Sequence, residues 1–79
     1  MNLENLILNQ VSIKKNEKFV AIIGASPSKG ARSPKLWNRV YKNIGKKIKM
    51  YPFDVEEKKL KKLIFYLSLN KNFLGGAIT

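Results

Sequence analysis

The sequence predicts an α/β unit in which three parallel strands alternate with two helices, an incomplete three-layer arrangement of strand, helix, strand, helix and strand. Three observations carry that prediction. A continuous apolar run, Phe19-Val20-Ala21-Ile22-Ile23, ends at Gly24, as suits a strand covered on both faces. Two segments with apolar residues at helical spacing follow, one after Ser33-Pro34 and one after Asp54. Strand-like stretches separate and succeed them at residues 46–53 and 73–79, and crossovers of helical length imply parallel pairing with right-handed connections.

Residues 1–18 form a lead-in, in which Leu3, Leu6, Ile7 and Gln10 fit one short helical face. The polar stretch from Lys14 to Lys18 then gives way to the first strand. Between Gly24 and Pro34 lies a polar loop, Ala25-Ser26-Pro27-Ser28-Lys29-Gly30-Ala31-Arg32, dense in turn formers. At Ser33-Pro34 a hydroxyl can cap free backbone N–H groups, and Pro lacks only a donor that would go unpaired there. The first helix should therefore begin here, with Leu36, Trp37, Val40, Tyr41 and Ile44 as its core face and Gly45 at its end. In the second strand Ile48, Met50 and Pro52 alternate with Lys47, Lys49 and Tyr51, and Pro52 places the strand near an edge. Asp54 is expected to cap the second helix, with Glu57 completing a capping box and Leu60, Leu63, Ile64 and Leu67 lining its face. In a sequentially ordered sheet the two helices would share one face and leave the other bare unless further chain packs there.

Composition excludes several chemistries. At 79 residues there is room for one domain, without cysteine for disulfides or thiolate metal sites and without histidine as ligand or neutral-pH base. The apolar runs fall far short of the roughly 20 residues that span a bilayer, and residues 1–5 lack the basic start of a secretory signal, so no membrane partner and a cytoplasmic location are expected. A net charge of +11 raises the possibility of a small basic nucleic-acid-binding module. Against it, Arg32 and Arg39 are the only arginines, and the lysine excess reads better as solvation of exposed faces, so nucleic acid is the disfavoured partner.

The loop after the first strand is the place where an open α/β sheet binds ligands. Ser26, Ser28 and Ser33 offer hydroxyls there, and Lys29 and Arg32 offer charge for a carboxylate or phosphate. A P-loop is excluded because Lys29 precedes Gly30 and Ala31 follows it, and a dinucleotide fingerprint is excluded because Ser26 and Lys29 stand where its second and third glycines belong. Trp37 and Tyr41 have the stacking surface for bases, but their helical spacing with Leu36, Val40 and Ile44 favours core packing. Asp54 is better read as a helix cap than as a catalytic carboxylate.

Four segments taken in register, Ala21-Ile22-Ile23-Gly24, Ser33-Pro34-Lys35-Leu36-Trp37-Asn38, Tyr51-Pro52-Phe53-Asp54-Val55 and Phe73-Leu74-Gly75-Gly76-Ala77-Ile78-Thr79, resemble shikimate dehydrogenase. The resemblance covers residues 19–79 and is to the amino-terminal substrate-binding domain. It implies an oxidoreductase of aromatic amino-acid biosynthesis that reduces 3-dehydroshikimate to shikimate with NADPH. The ring acid would lie between this domain and a carboxy-terminal Rossmann domain. The resemblance maps Ser33 onto the second serine of the family's carboxylate-binding Ser-x-Ser, with Ala31 in place of the first, and Thr79 onto the threonine of its Asn-Val-Thr strand end. Ser28 and Arg32 are candidates to substitute for the missing hydroxyl, with Ser26 and Lys29 beside them. The family's catalytic Lys, its partner Asp and its NADP-binding domain have no counterpart in these residues. A truncated chain, without cofactor and without turnover of its own, is the resulting expectation.

Overall fold

The computed structural model describes residues 3–79, so the first two residues of the lead-in lie outside it. Its elements run β1 (Lys18–Gly24), α1 (Pro27–Gly30), α2 (Ser33–Asn43), β2 (Ile48–Asp54), α3 (Leu60–Leu69) and β3 (Phe73–Ile78), with 3-10 turns at Leu3–Leu6 and Glu57–Lys59. All three strands are parallel, in the order β2-β1-β3. The fold class is the one the sequence predicts, but the order changes where the helices sit. The first crossover moves outward from β1 and the second returns across it, so two right-handed connections put α2 and α3 on opposite faces. The expectation of two helices on one face of a sequentially ordered sheet is thereby corrected.

One face holds the core. Phe19, Ala21 and Ile23 of β1 alternate toward it, with Tyr51 and Phe53 of β2, Val55, and Leu63 and Leu67 of α3. From the lead-in come Leu6 and Ile7, both buried, while Gln10 stays exposed. Tyr51 and Phe53 thus take the buried positions of β2, and the predicted inward set of Ile48, Met50 and Pro52 is only half-buried on the other face. Rings fill this layer efficiently: Phe19 packs on Tyr51, Phe53 and Phe73 at centroid distances of 6.1, 6.3 and 5.5 Å. Tyr51 donates its hydroxyl proton to the Glu17 carboxylate, and burial, followed by that bond and the Glu17 charge, raises its pKa well above the usual phenol range.

On the opposite face α2 lies against β2, and none of its residues is buried. Leu36, Trp37 and Ile44 remain 57%, 48% and 61% exposed, so the helix is where the sequence predicts while its stripe is not the core. The predicted stop is present: Gly45 adopts φ +72, with Lys46 N–H bonding to Tyr41 O and Gly45 N–H to Lys42 O, a Schellman motif. The predicted start is not capped as expected, because Ser33 is itself the first helical residue and makes no side-chain cap.

The outer edge of β2 is closed by side chains. Asn38 of α2 donates to Met50 O and accepts from Met50 N–H, at 3.2 and 2.7 Å. Asn9 of the lead-in does the same for Pro52 O and Asp54 N–H, at 2.9 and 2.7 Å, and Leu8 N–H bonds Asp54 O. Pro52 itself has no donor to satisfy. No equivalent bonds reach the outer edge of β3 among the described residues.

Candidate functional site

The carboxyl ends of the strands converge on the segment after β1. Thr79 N–H bonds Ile23 O at 2.8 Å, which draws Thr79 across the end of β1 beside Gly24. A β-carbon at Gly24 would stand 2.6 Å from Thr79 Cγ2 and 2.9 Å from Thr79 O, so only glycine permits this approach. On the other side Val55 N–H bonds Gly24 O at 2.9 Å.

The predicted polar loop contains a helical turn, α1, with Pro27 at its first position and buried. Its anchor comes from 26 residues away. Asp54, at the end of β2 and buried, accepts Ser28 N–H at 2.9 Å on one carboxylate oxygen and the Ser28 hydroxyl on the other. Asp54 does cap a helix, but that helix is α1. The helix after Asp54 instead opens with the 3-10 turn Glu57–Lys59, and no side chain caps either that turn or α3, so the expected capping box is absent.

Two clefts flank α1. The first, about 360 Å³, is lined by Ala25, Ser26, Pro27, Gly30, Ala31 and Thr79. The second, about 500 Å³, shares Gly30 and Ala31 with it and adds Ser28, Lys29, Arg32, Lys35, Leu36 and Arg39. Of the six residues singled out from sequence, Ser26 and Thr79 therefore meet in one cleft, while Ser28, Lys29 and Arg32 line its neighbour. Ser33 lines neither. The Ser28 hydroxyl is committed to Asp54, and Ser26 and Thr79, both exposed, are the hydroxyls that line the first cleft.

Sequence reasoning misses Asp54 as the clasp of α1, and Lys35 and Arg39 as cations of the second cleft. The spacing of Arg32, Lys35 and Arg39 on one helical side is the available signal for the latter. Among the described residues no group of three metal-ligating side chains occurs, and no helix is long and apolar enough to cross a membrane. No family model, curated protein or solved structure matches this chain.

Proposed function

We propose that residues 19–79 are the substrate-binding portion of a shikimate dehydrogenase-like oxidoreductase, taking a small ring acid such as 3-dehydroshikimate or shikimate in the cytoplasm. The supporting observation is the meeting of Ser26 and Thr79 in one cleft at the carboxyl ends of a parallel sheet. In this reading the two hydroxyls exchange hydrogen bonds with ring hydroxyls. Lys29 and Arg32, across the shared Gly30-Ala31 wall, hold the ring carboxylate by charge-assisted bonds. Asp54 keeps α1 in place through Ser28, so the cleft wall is set before a ligand arrives. NADPH supplies the hydride in the full-length family enzyme, from a Rossmann domain, and the part played by these residues is to bind and orient the acid.

Amide chemical shifts followed during titration with shikimate test this reading. Perturbations are expected at residues 25–32 and at Thr79, and Thr79→Val should weaken binding roughly tenfold by removing a hydrogen bond to a charged or polar ring substituent. An absence of shifts, or shifts centred on α3, would refute it.

A further inference from the structure

From the Lys29 and Arg32 cleft at the carboxyl ends, a surface of distinct chemistry extends along α2. The cleft lined by Lys29, Arg32, Lys35 and Arg39 continues past Lys35 into a depression between α2 and the lead-in, which Asn38 and Lys49 also line. Asn38 and Lys49 then border a larger cleft of about 540 Å³ at the amino ends of the strands. Its other cations are Lys14, Lys15, Lys42, Lys46 and Lys47. Shared lining residues set these three depressions side by side along α2, about 16 Å for 11 residues, and together they are taken as one groove.

Four cations line the first part of the groove and six line the last, ten of the 16 in the chain. Among the described residues Glu17 is the one acid of the lining, and its carboxylate accepts the Tyr51 hydroxyl. Glu56 lies elsewhere and is paired with Lys58 and Lys59. A concentration of like charge along a groove is costly unless an anion fills it, and a row of ammonium groups suits a row of phosphates better than a single anion. The geometry points to the phosphodiester backbone of single-stranded nucleic acid as the ligand of this groove, bound without regard to base sequence. The lysine excess, which by composition alone reads as solvation, is thereby given a location and a use.

An anionic membrane is the competing surface, since α2 also exposes Leu36, Trp37, Val40 and Ile44. The arrangement disfavours it. Lys35, Arg39 and Lys42 stand about 160° around the helix from Trp37 or Ile44, so a plane that accepted those two side chains would turn away from the cations, and Leu36 alone of the apolar side lies beside them. A strand lying in the groove meets the cations along its whole length, with Leu36 and Ile48 among the apolar residues between them. Readout of bases is not expected, because the groove's aromatic residue, Tyr51, is buried.

Fluorescence anisotropy of labelled oligo(dT) and oligo(U), measured across a salt series, tests the inference on the whole chain. Binding by both oligonucleotides is expected, with a linear fall of log K against log salt. The triple variant Lys42→Gln, Lys46→Gln, Lys47→Gln should reduce that slope by about 2, at roughly 0.7 for each phosphate no longer neutralised. A variant of equal charge on other surfaces, Lys58→Gln, Lys61→Gln, Lys62→Gln, should keep the original slope. Equal loss in the two triples, or no binding at low salt, would overturn the groove. So would binding to phosphatidylserine vesicles that Trp37→Ser abolishes and the groove triple leaves intact. Both triples spare Ser26, Thr79, Lys29 and Arg32, so the shikimate titration fails or succeeds independently.

Discussion

The two faces of the sheet are built to different standards. Against one, α3 and the lead-in bury Phe19, Phe53, Ile23, Leu63 and Leu67 almost completely; against the other, α2 covers β2 and leaves its own apolar side largely in solvent. Both helices carry an apolar stripe, and the difference lies in how many elements converge on each. The core face receives a helix, a 3-10 turn and an extended segment, whereas the other receives one helix set over an edge strand. A stripe is buried only when something stands opposite it.

The largest effect that would sharpen this contrast is expected for Phe53→Ala. Removing a fully buried ring should cost about 3–5 kcal/mol, comparable with the whole stability of a small domain, and urea unfolding should show the variant largely unfolded in buffer. A loss below about 1 kcal/mol would mean that the packed face is no better packed than its opposite. A smaller, pH-dependent effect belongs to Tyr51. Because its folded pKa is raised, the protonated form is favoured by folding, so its contribution is complete below the unfolded value near 10 and is lost as pH rises beyond it. Tyr51→Phe should remove that part of the alkaline decline, seen by comparing circular dichroism melts of the two proteins at rising pH. The smallest effect is expected on the other face: Trp37→Ser should change stability by no more than about 0.5 kcal/mol. A cost above about 2 kcal/mol by the same unfolding measurement would show that α2's stripe is covered in solution.

What could be read in the sequence follows the range of the forces involved. The strand at residues 19–23, the helix ending at Gly45 and the parallel alternation depend on neighbours within a turn or a run, and they stand where the sequence predicts. Strand order does not, since nothing local in β3 says whether it joins β1 or β2. Nor does α1, four residues held by a carboxylate from another strand. Asp54 misleads for that reason: its following Glu57 completes a local capping pattern, while its true donor, Ser28, is distant in sequence and adjacent only in space. The loop is recognisable as a meeting place of hydroxyls and cations. Which hydroxyls face outward is not, because that depends on Asp54 claiming Ser28.

The asparagine closure of β2 also bears on assembly. An exposed strand edge is a template for pairing with another chain, and a sheet with two such edges can add copies without limit. Here Asn9 and Asn38 occupy the bonding positions along one edge, so among the described residues only β3 offers a template. Association through β3 uses up the available edge of both partners at once and ends at a pair, which makes two amide side chains a barrier to fibril growth.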